Sequence, residues 1–203
     1  MNVLIIYAHP SEKSYTFQIL QQLVSALTDE GHSIEISDLY KMNFLSDMTR
    51  EEYEREGFRQ IELPIPTDIQ EEHKKIDKAD CVFFLYPVWW SDCPAKLKGW
   101  FDRVYSVGYV YGYNENANDQ HMKTLRSGHV ICTAGYSNDF LHEIGIAESM
   151  KTIMVNDRLG KRFENKEMTI LGGTLNVEDV RLLHSTKIKE IAVGIKRFNT
   201  SAS

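Results

Sequence analysis

The stretch NVLIIYAHPSEKSYTF (Asn2–Phe17) runs from aliphatic residues through a polar turn into a helical pattern. Asn2–Ala8 lacks polar alternation, as expected of a strand buried on both faces of a parallel sheet. From Phe17 the apolar positions Phe17, Leu20, Val24 and Leu27, with Leu23 beside them, recur at helical spacing, and Gly31 marks the stop. The chain therefore leaves a strand and enters a helix through AHPSEKSYTF (Ala8–Phe17). Such a turn presents unpaired backbone N–H groups and the positive end of a helix dipole, a combination that attracts phosphate. Here the donors are the hydroxyls of Ser11, Ser14, Tyr15 and Thr16, the imidazole of His9 and the charge of Lys13. The plainer reading is that Ser14 or Thr16 only caps the helix. Neither GxGxxG nor GxxxxGK[ST] occurs, so the dinucleotide fingerprint and the P-loop are both excluded.

The strand-then-helix unit repeats down the chain. Ser33–Leu39 alternates as a second strand, and Lys41 to about Pro66 is a charged excursion with room for one short helix. Thr67–Lys78 reads as a polar helix opened by Thr67 or Asp68 after Pro66, with EEHKK as a solvated face and not a metal site. Cys81–Tyr86 is a second buried strand. Pro94 opens a helix carrying Leu97, Trp100, Phe101 and Val104. Gly128–Thr133 is a fourth strand, followed by a helix from about Phe140. Met168–Gly172 is the last strand, and Asn176 caps a final helix with Val180, Leu183, Ile188, Ile191, Ile195 and Phe198. Five alternations predict an α/β fold, a doubly wound parallel sheet with helices on both faces. In such sheets ligands bind beyond the carboxyl ends of the strands. The loops to watch are AHPSEKSYTF, YPVWWSDCP and TAGYSND.

The 203 residues, 42% of them hydrophobic, suffice for one domain, here set at 1–199 with 200–203 as a frayed tail. No apolar run is long enough to cross a bilayer, and the N-terminus reads as a first strand, not a signal peptide. Cys81, Cys93 and Cys132 form no CxxC pair and suit a reduced, cytoplasmic protein; Cys93 reads as a small loop residue. A net charge of −6 argues against nucleic acid as a partner.

AHPxxxSxT after the first strand resembles the phosphate loop of the NAD(P)H:quinone oxidoreductase family, flavodoxin-like flavoenzymes. DLYKMNF (Asp38–Phe44), YPVWWSDCPAKLKGWFDRVY (Tyr86–Tyr105) and GYVYGY (Gly108–Tyr113) are similar to further segments of the family in the same order, with Gly99–Arg103 the most specific. The resemblance implies a flavodoxin-like five-stranded fold and a bound flavin, FAD or alternatively FMN, with NADPH or NADH as co-substrate. His9, Ser14, Tyr15, Thr16 and Phe17 would then hold the flavin's phosphate or pyrophosphate. Pro87, Val88, Trp89 and Trp90 would line the isoalloxazine, whose π-face suits an aromatic-rich loop. Thr133, Ala134, Gly135 and Tyr136 would border the ring from the fourth strand, and Asp102 would contact the flavin.

Tyr109, Tyr111 and Tyr113 recur at period two, which in an extended segment puts them on one face. Two readings stand: an aromatic stripe on an edge strand, or, by the resemblance, a substrate lid contributed across the interface of a homodimer, with Tyr111 and Tyr113 catalytic. Where better-studied members carry a Tyr and a His that handle charge during hydride transfer, this chain has Leu141 and Ala147, and His142 is the nearest substitute. The function expected is two-electron, ping-pong transfer from NAD(P)H to a quinone or similar acceptor. The alternatives are reduction of nitro or azo compounds, an ancillary flavin-binding subunit of a membrane transporter, and a one-electron carrier.

Overall fold

In a computed structural model of the chain, residues 1–112 and 121–195 are described. Five strands, β1 (Asn2–Tyr7), β2 (Ser33–Asp38), β3 (Cys81–Pro87), β4 (Leu125–Thr133) and β5 (Phe163–Leu171), form one parallel sheet of order β2-β1-β3-β4-β5. This is the flavodoxin-like order, with the switch point between β1 and β3.

The apolar runs explain the layering, because successive side chains of a strand face opposite sides of the sheet. Val3, Ile5, Tyr7, Phe83 and Leu85 pack under α1 (Tyr15–Asp29) and α7 (Val177–Gly194), against Ile19, Leu23, Ile188 and Ile191. Leu4, Ile6, Val82, Phe84 and Tyr86 pack under α3 (Thr67–Lys78) and α4 (Ala95–Val104), against Ile69, Ile76, Leu97 and Trp100. Burying each large side chain contributes on the order of 2 kcal/mol, which is why β3 and the buried part of β1 after Asn2 are apolar on both faces.

The charged excursion contains α2 (Arg50–Gly57), started by a capping box between Thr49 and Glu52. It folds down on α4 at two points. A Cβ on Gly99 would lie 2.1 Å from the Ser46 carbonyl oxygen, so only glycine lets the two backbones approach. Arg103 is buried and donates from Nε to Glu52 (2.7 Å) and from Nη1 to Asp68 (2.7 Å) and to the Leu45 carbonyl (2.7 Å). The Gly99–Arg103 stretch thus holds the excursion in place.

Several boundaries move. α1 opens at Tyr15, two residues before Phe17, because Ser14 caps it. β4 and β5 begin earlier than Gly128 and Met168. The helix expected from Phe140 is two, α5 (Asn138–Glu143) and α6 (Ile146–Lys151), divided at Gly145 with φ +76°. α6 then widens into a π-helix over Thr152–Leu159. Asn176 stands at the start of α7 but its side chain bonds to Asp179 and makes no cap. Leu183 is exposed, and His184 takes the buried position beside it. EEHKK is only partly a solvated face. Glu72 is fully buried, accepting from Trp100 Nε1 at 2.8 Å, Ser37 at 2.9 Å and Lys75 at 2.6 Å, and His73 donates to the Val104 carbonyl at 2.9 Å. Phe198, Tyr113 and the tail lie outside the described residues.

Candidate active site

Three turns meet beyond the carboxyl ends of β1, β3 and β4. The first is knitted by its own side chains. Ser14 caps α1, its Oγ accepting from the Phe17 amide at 3.0 Å. The Ser11 amide donates to His9 Nδ1 at 3.0 Å, which assigns the ring proton to Nε2. Burial holds the imidazole below its ordinary pKa, so at neutral pH His9 offers one N–H and no charge. The amides of Tyr15 and Thr16, in the first turn of α1, have no intrahelical acceptor. Thr16 points inward, its Oγ1 2.8 Å from Thr133 Oγ1. Phe17 spends its ring on Tyr7 and the core. Tyr15 turns to α7, its hydroxyl 3.0 Å from His184 Nδ1 and its ring under the Arg181 guanidinium at 5.9 Å.

The second turn leaves β3 at Pro87. The Val88 amide donates to the Thr133 carbonyl at 2.8 Å, which fixes this loop to the end of β4. Trp89 and Asp92 exchange backbone hydrogen bonds of 2.9 and 3.2 Å around Trp90 (φ +49°) and Ser91 (φ +65°). Two consecutive left-handed residues make a tight turn of the kind usually built from Asn and Gly. Neither Trp nor Ser is suited to it, and each costs on the order of 1 kcal/mol. The turn leaves Trp90 wholly exposed and Trp89 half-exposed, the Trp89 ring edge-on to His9 at 6.0 Å. The third turn follows Thr133 and Ala134, both buried, and presents Gly135 and an exposed Tyr136 packed on Phe140 at 4.9 Å.

A model of the flavodoxin-like fold family matches residues 1–160. A solved structure described as an NAD(P)H:quinone oxidoreductase from Methanothermobacter marburgensis superposes with a TM-score of 0.88 at 41% identity, covering 97% of each chain. An uncharacterized NAD(P)H oxidoreductase of Haemophilus influenzae is 33% identical over 181 residues, 88% of this chain and 87% of that one. The chain belongs to the NAD(P)H:quinone oxidoreductase family. It spans about half the length of some curated relatives, such as a ribosyldihydronicotinamide dehydrogenase-like protein of Penicillium crustosum, 36% identical over 58% of this chain and 49% of that one.

Of the other residues singled out by the family pattern, Asp102 and the tyrosine segment lie away from these turns, while Leu141 and His142 sit on α5, which follows the third turn directly. Asp102 sits near the far end of α4, exposed and paired with Lys98. His142 is exposed on α5, 3.5 Å from Glu148, and lines a groove of about 590 Å³ beside β5 together with Ala147 and His184. Leu141 and Ala147 are buried with Met150 and with Ala134 of the third turn, and Val88 of the second turn packs against them, so the relay positions of the family are filled by packing. The Tyr109 stripe does not form. Ser106 accepts the amides of Tyr109 and Val110, the segment turns instead of extending, and Tyr109 is buried against His73 with its hydroxyl 2.8 Å from Asp77. Tyr111 is half-exposed and donates to Glu56 at 3.0 Å. Asp77 lies in the last turn of α3, which leads into β3 at Cys81, and this puts the segment at the amino end of the strands, opposite the three turns.

The structure adds residues that no motif marked. Arg158, in the π-helix, reaches Asp92 through both terminal guanidinium nitrogens at 3.0 and 3.2 Å. His184 and Arg181, one turn apart on α7, support Tyr15.

Proposed function

We propose that this chain is a flavin-dependent NAD(P)H oxidoreductase that delivers two electrons to a quinone or a similar acceptor. The observation that carries the reading is the convergence of the three turns, cross-linked by the Thr16–Thr133 and Val88–Thr133 hydrogen bonds, beside an exposed indole. The donors fit a flavin's phosphate: His9 Nε2–H, the first-turn amides of Tyr15 and Thr16, and the dipole of α1. Arg181 on α7 stands over Tyr15 with its charge paired to Glu178 at 2.8 Å, and the flavin proposed is FAD, with FMN the alternative. Trp89, Trp90 and the backbone from Thr133 to Tyr136 offer a planar ring both stacking area and main-chain polar groups. A bound flavin would take a hydride from NADPH or NADH and return two electrons to the acceptor, so the two substrates use one place in turn.

Tyr111 stands at the opposite end of the sheet from the turns of its own chain, so it can meet a ring only from a second copy. A homodimer follows from that reading. Three free cysteines fit the reducing cytoplasm. The description of the Methanothermobacter marburgensis protein as a quinone oxidoreductase supports quinone as the acceptor class.

The test is steady-state kinetics of the flavin-loaded protein with NADPH or NADH and a soluble quinone. Parallel double-reciprocal lines, with anaerobic reduction by nicotinamide as fast as turnover, are expected. Intersecting lines contradict the shared place, and no reduction by either nicotinamide contradicts the function.

A further inference from the structure

The turn Trp89–Asp92 carries two left-handed residues that are neither Gly, Asn nor Asp, and its only mutual backbone bonds are those between Trp89 and Asp92. A turn so disfavoured by its own residues needs an outside hold. The hold comes from across the sequence. Asp92 accepts from its neighbour's amide, Cys93 N at 2.7 Å, and from both terminal nitrogens of Arg158. The guanidinium is itself immobilised, over the Phe101 ring at 5.1 Å, with Cys93 Sγ at 3.4 Å and Met154 Sδ at 3.0 Å. A two-pronged, nearly buried guanidinium is the side chain that fixes a carboxylate in orientation as well as in position. Burial pushes the Asp92 carboxyl up, but Arg158 and the Cys93 amide outweigh it and hold it below its usual range, so the pair is charged at neutral pH. Arg158 is carried by the π-helix Thr152–Leu159, a departure from α-geometry of the kind that recurs at functional sites.

We infer that Arg158 is a positioning residue for the ring-facing turn: by clamping Asp92 it keeps Trp90 and Ser91 left-handed and so preserves the surface on which the flavin ring lies. The inference rests on the flavin reading above. The π-helix is thereby tied to the cofactor site without touching it.

The experiment compares the wild-type protein with Arg158→Met, Arg158→Lys, Asp92→Asn and the double variant Arg158→Met/Asp92→Asn. Two readouts are taken: hydrogen exchange of backbone amides in the flavin-free protein, and titration with FAD and with FMN. Arg158→Met and Asp92→Asn should speed exchange at the Trp89 and Asp92 amides while β3 and α4 keep wild-type protection. Each should raise the flavin Kd roughly tenfold, and the double variant should be no worse than either single one. Arg158→Lys, which keeps the charge but not the fork, should fall between. If Arg158→Met fails to fold, Asp92→Asn carries the same comparison. Wild-type exchange at the turn in the variants, or a wild-type Kd, overturns the clamp. A wild-type protein that binds neither flavin overturns the flavin reading instead, and the ring-positioning role with it, while the amide exchange still reports whether Arg158 holds the turn.

Discussion

Thr16 Oγ1 and Thr133 Oγ1 lie 2.8 Å apart in a fully buried contact that joins the first turn of α1 to the last residue of β4. The residues are 117 positions apart in sequence. Through this bond and the Val88–Thr133 bond, the three turns behave as one rim.

Replacing Thr16 by Val keeps shape and removes the hydroxyl, leaving Thr133 Oγ1 buried without its partner. The loss should be about 1–2 kcal/mol of unfolding free energy. Urea denaturation of Thr16→Val measures it. The double variant Thr16→Val/Thr133→Val should recover part of the loss, since no polar atom is then stranded.

Gly99→Ala should be far more costly than an ordinary helix glycine substitution, which usually stabilises. Its Cβ meets the Ser46 backbone, which has no rotamer to change. We expect a loss of at least about 2 kcal/mol, read by thermal unfolding, together with faster proteolysis between residues 41 and 66. A wild-type melting temperature would show that the excursion is not seated on α4.

His129 is buried on β4, stacked on Phe83 at 4.8 Å and bonded to Ser127, and burial pushes its pKa down to about 4. The unfolded imidazole titrates near 6.5. Between about pH 6.5 and 4 the unfolded chain therefore binds the extra proton, and stability falls as pH drops through that window, by roughly 3 kcal/mol at its lower end. Denaturation of the wild type and His129→Gln at pH 7 and pH 4.5 checks this. The difference between the two pH values should shrink in the variant.

Tyr111→Phe removes a hydroxyl from an exposed bond to Glu56, so the fold should lose less than about 0.5 kcal/mol. Tyr109→Phe removes a part-buried bond to Asp77, whose exposed carboxylate is then taken up by water, and should cost about 1 kcal/mol. If Tyr111 serves a partner subunit's ring, Tyr111→Phe changes turnover while leaving the melting temperature in place.

The order of elements could be read from the chain because β1 and β3 are unbroken apolar runs and α4 keeps strict helical spacing. β5 was harder, since an edge strand carries Glu164, Lys166 and Glu167 on exposed positions and only its last residues look like core. Period two among the tyrosines suggested an extended face, but two amides captured by the Ser106 carbonyl turn the segment and bury Tyr109. The first and second turns were visible as strand-to-helix junctions. Their supports were not: Asp92 and Arg158 are 66 positions apart, and nothing in TIMVNDRL announces a π-helix.

The central claim is that these turns hold a flavin. Purified protein, freed of cofactor and titrated with FAD and with FMN by calorimetry, should bind one flavin per chain, with the affinity lowered in Ser14→Ala and in His9→Ala. No uptake of either flavin by a correctly folded wild-type protein would contradict it.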